Sequence, residues 1–396
     1  MICRDSTLDW AIIGGGIHGA YLTNALIRHR ITKRSDLRIV DPNDEPLAEW
    51  KRITANVGME YLRSPKVHHL DLEPFSLKHF IQCDECTENA YITPNDRPSL
   101  TLFNAHADRV IKKNGLNKLY RTGYALNIEC NTDFVTVTTD RETIRSRNVI
   151  LAIGLGGKTR WPEWAYNAAK EGAGICHVLD GSFCRDSIPE CGEIVVVGGG
   201  MSAVQTALSI ANENRRVTLL SPHSLRQNNY DSDPGWMGPK YLNRFRRITS
   251  WTKRRSVIDQ ARNNGSITHE LKYQLQRCIN RGELRILVDE TGSCSVLTHE
   301  LILLNLRGGE SIGANHVILA TGYDNRCPGG SLVKKFAEEY GLRCSECGSP
   351  ITDTSLQWCD RIFVSGALAE LEVGPASRNI IGARMASEKI LSKFVI

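Results

Sequence analysis

The run Trp10-Ala11-Ile12-Ile13-Gly14-Gly15-Gly16-Ile17-His18-Gly19 decides the fold. A short apolar stretch enters three glycines and leaves through Ile17, Tyr21, Leu22, Ala25 and Leu26, whose spacing is helical. Strand, tight turn and helix in that order make a phosphate-binding unit. Its first glycine permits the turn, its second lets the backbone approach a pyrophosphate, and its last allows close helix–strand packing, while the helix N-terminus offers free amides to the anion. The same design returns at Gly198-Gly199-Gly200-Met201-Ser202-Ala203, with Ala203 in the last position. Two such units predict two nucleotide cofactors in one chain.

The strand downstream of each turn separates the two sites. After the first turn, Leu37–Val40 reads as a second strand ending at Asp41, 22 residues beyond Gly19, where an acid hydrogen-bonds an adenosine ribose. The other reading of Asp41 is a turn-starting acid before Pro42. After the second turn, Val217–Leu220 ends at Ser221 with no acid, and His223 and Arg226 come next. Without a carboxylate to repel it, a 2′-phosphate fits there, and Arg226 can clamp it. The site therefore favours NADPH; the competing reading is that Arg226 points into water.

A chain of 396 residues, 41% of them hydrophobic, is long enough for two or three domains. Its charge of +5 suits anionic cofactors without demanding nucleic acid. The polar N-terminus does not read as a signal peptide, no apolar run reaches membrane-spanning length, and 13 cysteines, an odd number, read as reduced thiols. A soluble cytoplasmic enzyme is expected, with no nucleic-acid or membrane partner.

Between and beyond the glycine units, Pro42 to Pro98 reads as loop-rich, Ala105–Lys113 as a helix, and Tyr124–Cys130 with Asp133–Thr139 as an antiparallel pair. Asn148–Gly154 reads as a buried strand. Residues 238–282 have helical composition, with Arg244, Arg246, Arg247, Lys253, Arg254 and Arg255 crowded together, as a solvated face or a counter-charge for phosphates rather than a nucleic-acid patch. Leu284–Val288 and Leu301–Leu306 suggest a second meander, followed by the strand His316–Gly322. Arg361–Ala367 reads as a buried strand stopping at Gly366, and Gly374-Pro375 begins a loop into a last helix.

Three further strings carry a resemblance. Leu319-Ala320-Thr321-Gly322-Tyr323 resembles the Ala-Thr-Gly-Tyr linker of N-hydroxylases and flavin-containing monooxygenases. Met59-Glu60-Tyr61-Leu62-Arg63-Ser64-Pro65 resembles the segment these relatives place beside the flavin, and Asp231–Leu242 lies where N-hydroxylases carry a substrate-side insertion. Over most of its length the chain is similar to two-dinucleotide flavoprotein monooxygenases, among them the lysine and ornithine N-hydroxylases of siderophore biosynthesis. The resemblance implies an α/β fold of two Rossmann-like, three-layer ββα dinucleotide-binding domains, the NAD(P)H domain inserted in the FAD domain. The expected boundaries are 1–160 for the first part of the FAD domain, 161–190 for a connector, 191–312 for the NAD(P)H domain with a helical insertion at about 238–282, and 313–396 for the FAD domain's C-terminal part.

In that scheme FAD lies on Gly14, Gly16, Ile17, His18, Gly19 and Asp41 and extends past Ser64, Thr321, Gly322, Gly366, Gly374 and Pro375. NADPH lies on Gly198, Gly200, Met201, Ser202, Ala203 and Arg226. Arg63, Asn379 and one of His68 or His69 are the candidate catalytic residues beside the ring, stabilising its reduced anionic form or moving a proton; the alternative for each is loop packing. Trp236 either stacks on a cofactor or fills a core. The implied reaction is NADPH-driven, O2-consuming hydroxylation of a small amine through a flavin hydroperoxide. A non-oxygenating reductase or dehydrogenase and a cofactor-binding sensor without turnover are the alternatives, and a homo-oligomer stays open. Cys83/Cys86 and Cys344/Cys347 have zinc-knuckle spacing but lie far apart in sequence, and neither lies where related reductases carry their redox pair. No metal is expected.

Overall fold

A computed structural model describes residues 7–83, 89–155, 157–213, 215–298, 301–324 and 328–394. The first domain opens with β1 (Leu8–Ile13), α1 (Ile17–Arg28), β2 (Leu37–Asp41), α2 (Ala48–Asn56) and α3 (Ser76–Cys83). A short hairpin, β3 (Tyr91–Ile92) with β4 (Arg97–Pro98), leads to α4 (Leu100–Asn114), β5 (Tyr120–Thr122), β6 (Ala125–Cys130), β7 (Val135–Thr139) and β8 (Thr143–Leu151). β1 is central, paired in parallel with β2 on one side and β8 on the other, and burial on both faces explains its unbroken apolar run. β6 and β7 form the expected antiparallel pair, and β7 joins it to β8. α4 starts earlier than the predicted helix because Ser99 caps it, its hydroxyl accepting the Leu102 amide, and it ends at Gly115 with φ 63°.

The second domain begins with α5 (Glu163–Lys170), β9 (Ile175–His177), β10 (Glu193–Val197), α6 (Met201–Ala211), β11 (Arg216–Ser221) and β12 (Arg226–Gln227). Then come α7 (Pro239–Arg246), α8 (Trp251–Ala261), β13 (Ser266–Ile267), α9 (His269–Asn280), β14 (Leu284–Val288), β15 (Thr291–Thr298), β16 (Leu301–Leu306), β17 (Ser311–Ala314) and β18 (His316–Leu319). The parallel sheet runs β14-β11-β10-β18-β9. Alternate side chains face opposite ways: Ile194, Val196 and Leu219 pack with α6 and α9, whereas Val195, Leu220 and Leu319 pack with α5 and β16.

Three expectations shift. Leu284–Val288 is not part of a meander but the parallel edge strand beside β11; the meander is β15–β17, whose first member is too polar to announce itself. The expected connector at 161–190 contains α5 and the edge strand β9, so it belongs to the second domain. His316–Leu319 also belongs to that sheet, not to the returning first domain. The chain crosses at 157–160 and 321–324, where Thr159 and Tyr323 bridge and the Arg160 amide donates to the Gly322 carbonyl.

After the second crossing come α10 (Gly330–Glu339), β19 (Gln357–Cys359), β20 (Ile362–Val364), α11 (Glu370–Val373) and α12 (Ile380–Leu391). β20 pairs in parallel with β8, so the first sheet reads β5-β2-β1-β8-β20-β19 along its main path, and α12 packs on α1. The second domain is thus an insertion within the first, as expected.

Candidate functional site: two glycine turns and the junction between domains

Three glycines of the first turn, Gly14, Gly15 and Gly19, have a steric reason. Gly14, at φ 108°, brings its Cα against the backbone of Ala152, and a Cβ on Gly15 would enter the Tyr120 phenol. A Cβ on Gly19 would collide with the Gly14 carbonyl, which is the close helix–strand packing read from the sequence. Gly16 differs: a Cβ there meets no protein atom within 4 Å, so the turn opens onto free space at the head of α1. No side chain caps α1, and its first amides are open to an anion. The Asp41 carboxylate accepts the Gly15 amide at 2.6 Å and the Asn43 amide at 2.9 Å, so it buttresses the turn. These features fit a dinucleotide.

The second turn repeats the pattern except at Gly200, where a Cβ would lie 3.6 Å from the Gly265 Cα rather than in free space. Gly198 lies over the Ala320 carbonyl, 2.6 Å from where its Cβ would be, and Gly199 lies against Ser221 and His223. α6, which begins at Met201 and carries Ser202 and Ala203 in its first turn, has no side-chain cap. Arg226 is exposed, its Nη2 3.1 Å from His223 Nε2, and both side chains border Gly265 beside the turn. The Ser221 hydroxyl is buried and donates to the His223 carbonyl, leaving no acid at this strand end.

At the junction between domains, Arg63, Ser64, Pro65 and His68 line a cavity with Ala376, Asn379 and Ile381 of the first domain and Tyr230, Asp231, Ser232 and Met237 of the second. Three of the four catalytic candidates therefore meet. Their partners differ from expectation. Arg63 Nη1 donates to Asp231 at 2.7 Å, and Nη2 reaches the carbonyls of Asn228 and Tyr230 and the Ser266 hydroxyl, so the guanidinium fastens the second domain's arm. His68 is buried and burial pushes its pKa down to about 4, so it is neutral near pH 7. Asn379 precedes α12, whose amides its side chain leaves uncapped. His69 falls outside the cavity: its Nε2 donates to the Pro74 carbonyl, its Nδ1 accepts the Asp71 amide, and its ring meets His106 edge-on, the loop-packing alternative.

Other predicted site residues serve the scaffold. His18 sits 2.7 Å from the Ser365 hydroxyl through Nδ1 and donates from Nε2 to the Asn379 carbonyl at 3.2 Å. Its ring joins α1 to the returning segment, over Gly366, and only its backbone is left to a cofactor. The Thr321 hydroxyl donates to the Arg160 carbonyl and lies 3.2 Å from His177 Nε2, stitching the two crossings together, with Gly322 accepting the Arg160 amide. Gly374, at φ 95°, packs against Leu242 and Phe245, and the Pro375 carbonyl accepts from Arg262. Trp236 is partly buried and packs tilted against Tyr241 and edge-on against Phe245, on the apolar cluster of the helical arm.

A buried ion cluster was not anticipated. Glu370, fully buried, accepts Arg255 at 2.9 Å, Arg378 at 2.5 Å and Arg262; Glu372 accepts Arg254 at 2.9 Å and Lys389 at 2.8 Å. Burial pushes the Glu370 carboxyl up, but Arg262 and Arg378 outweigh that and hold it below its ordinary value. The basic run of 244–255 is in part explained by these acids, which sit in the apolar stretch Ala367–Val373. Acids in so apolar a setting were the available signal.

A wider cleft of about 840 Å³, lined by Lys158, Arg160, Trp161, Tyr166, Lys170 and Asp324, flanks α5, on the sheet face opposite α6. Among the described residues no three His, Cys, Asp or Glu side chains gather as a metal site, and no helix is long and apolar enough to cross a membrane. Cys86 lies outside the described residues, as does any pairing it would make.

Two glycine turns at two parallel sheets, one domain inserted in the other, define a two-nucleotide oxidoreductase scaffold. The sequence profile of the pyridine nucleotide-disulphide oxidoreductase family matches residues 69–276, more than half of the chain, and the protein belongs to that family. Its fold is shared with the FAD-bound cadaverine monooxygenase of desferrioxamine biosynthesis from Erwinia amylovora (14% identity, 98% and 95% of the two chains, TM-score 0.77). It is shared also with the ornithine hydroxylase of Pseudomonas aeruginosa (17% identity, 98% of each chain, TM-score 0.76) and, less closely, with the bacillithiol disulfide reductase of Staphylococcus aureus (15% identity, 98% and 99%, TM-score 0.57).

Proposed function

We propose that the protein is an FAD-dependent, NADPH-using monooxygenase that hydroxylates the nitrogen of a small amine. The observation that carries this reading is the meeting of Arg63, His68 and Asn379 with the second domain's arm in one cavity, in a chain that carries an open glycine turn before α1 and an uncapped glycine turn before α6. FAD would rest its pyrophosphate on Gly14–Gly16 and the amides of α1, with Asp41 at the ribose, and reach toward the uncapped start of α12. NADPH would rest on Gly198–Gly200 and α6, with Arg226 and His223 at the 2′-phosphate. Bound there, the flavin supplies hydride acceptance and oxygen activation.

The chain's own groups do the rest. The first amides of α12 and the Asn379 side chain offer donors to negative charge at the cavity wall. His68, neutral at working pH, can accept a proton or pass one on. Arg63 pins residues 228–231 over the cavity and so limits the access of water. An ornithine N-hydroxylase that shares the fold supports nitrogen as the site of oxygen insertion. The test is O2-dependent NADPH oxidation by FAD-loaded protein with hydroxylamine formed from an amine; NADPH oxidation that is indifferent to every amine and yields no hydroxylamine would move the assignment to a reductase.

A further inference from the structure

The strands along one edge of β8 bring together two cysteines that stand, in sequence, on opposite sides of the inserted domain. β1 occupies the other edge, meeting Ser146 through Leu8 and Leu151 through Ile13. Opposite β1, β7 pairs with Thr143–Ser146 and β20 with Val149–Leu151, so the β6–β7 hairpin and the β19–β20 hairpin lie end to end. Cys130 is the last residue of β6 and pairs with Val135; Cys359 is the last of β19 and pairs with Ile362. Arg361, in the β19–β20 turn at φ 66°, closes the joint: its Nη2 donates to the Thr132 carbonyl at 2.9 Å, and its own carbonyl accepts the Val149 amide at 2.8 Å. The Cys130 amide donates to the Tyr340 hydroxyl at 3.0 Å, which fixes the end of β6. The Cys359 thiol is hydrogen-bonded to Cys130, and both are half-buried free thiols packed on the first domain's core. That bond holds the Cys130 thiol below its ordinary value and the Cys359 thiol above it, so Cys130 is the readier to lose its proton.

We propose that Cys130 and Cys359 are a redox-active pair that closes to a disulfide under hydrogen peroxide and staples the two sequence halves of the first domain across the insertion. Cys130 precedes the first crossing and Cys359 follows the second. Apart from the chain's passage through the second domain, the halves are held by non-covalent contacts, among them β8 with β20 and α1 with α12. The Cys130 thiolate attacks one peroxide oxygen, the O–O bond breaks, and the departing hydroxide takes up the proton that Cys130 released, leaving a sulfenic acid. The Cys359 sulfur then attacks the Cys130 sulfur, the S–O bond breaks as S–S forms, and the leaving hydroxide takes the Cys359 proton. Two thiols lose two electrons between them, and one peroxide becomes two waters. A thiol reductant reverses the closure by exchange. Neither step involves the flavin, so the pair works whichever reaction the holoenzyme carries out. A bond closing so long a loop restricts the unfolded chain, and its effect is on stability.

The experiment treats the FAD-loaded full chain with a small excess of hydrogen peroxide, blocks the remaining thiols with iodoacetamide and maps the non-reduced peptides by mass spectrometry. A linked Cys130–Cys359 peptide pair, lighter by two hydrogens than its separate halves and split by dithiothreitol, is expected. The oxidised protein should melt at least ~5 °C above the reduced protein. Cys359→Ser should stop at the first step, leaving a Cys130 sulfenic acid that dimedone traps. Cys130→Ser should leave Cys359 open to iodoacetamide and without a dimedone adduct. Neither variant should gain stability from peroxide, and both should keep the parent's FAD content. Peroxide that leaves both thiols open to alkylation, joins either of them to a different cysteine, or forms the sulfenic acid at Cys359 would overturn the proposal. So would a Cys130–Cys359 link that forms without raising the melting temperature.

Discussion

Gly16 is the residue at which fold and ligand can be separated. Its neighbours are glycine because protein atoms crowd them, whereas a Cβ on Gly16 meets none, so a side chain there intrudes only on what binds the turn. Gly16→Val is therefore expected to fold with a melting temperature near that of the parent and to lose at least nine-tenths of its FAD, read from flavin absorbance per mole of protein. Arg226 is the matching residue of the second turn. Removing its charge should weaken NADPH by roughly 1.5–3 kcal/mol and spare NADH, measured as the two dissociation constants in Arg226→Ala. Equal losses would show that it does not face the 2′-phosphate. Arg63 and His69 teach the opposite lesson: residue type and neighbourhood marked both as reactive, but the sequence does not display their partners, Asp231 and Pro74, which are brought to them by folding.

Among the elements, those built on strong local rules were legible. The glycine turns, the buried parallel strands and the β6–β7 alternation arise from steric and periodicity constraints within a dozen residues. α2 and α3 read as loop in the sequence because they are short, and β15 because Thr291-Gly292-Ser293 carries no apolar alternation; tertiary contacts decide all three. The helical arm was legible as helix, its arginines only as a choice between solvent and phosphate. They serve neither purpose where Arg254, Arg255 and Arg262 reach Glu372 and Glu370 and bind α8 to the segment before α12. Removing the Glu370 charge strands three guanidinium groups, so Glu370→Gln should cost on the order of 3–5 kcal/mol in denaturant unfolding, far more than the change of an exposed pair such as Lys334–Glu338.

For the whole molecule, the insertion of one domain in the other was legible from the order of two glycine units and a returning strand, while the crossing points were not, because β9 is only three residues long and declares itself by pairing with β18. The folded molecule has a pH signature. His18, His68, His106 and His177 are held neutral, chiefly by burial, each with pKa lowered to about 4 from the ordinary value of 6.5. Between those values the unfolded chain binds protons that the folded chain refuses. Stability is therefore level above about pH 6.5 and falls as pH drops toward 4, by at least a few kcal/mol in total, observable as a falling melting temperature across that window. A flat profile from pH 7 to 4 would place these rings in a wetter environment than their packing implies.

The two turns and the shared cavity have one purpose if electrons from NADPH pass to flavin and then to oxygen at an amine. Mass spectrometry of the product formed under 18O2 tests this most directly, with FAD-loaded protein, NADPH and a panel of diamines and amino acids. The expected product is a hydroxylamine carrying one 18O atom, with NADPH oxidised in step with its formation. NADPH consumed with no 18O in any amine, and electrons delivered instead to a disulfide or another soluble acceptor, would contradict the monooxygenase assignment.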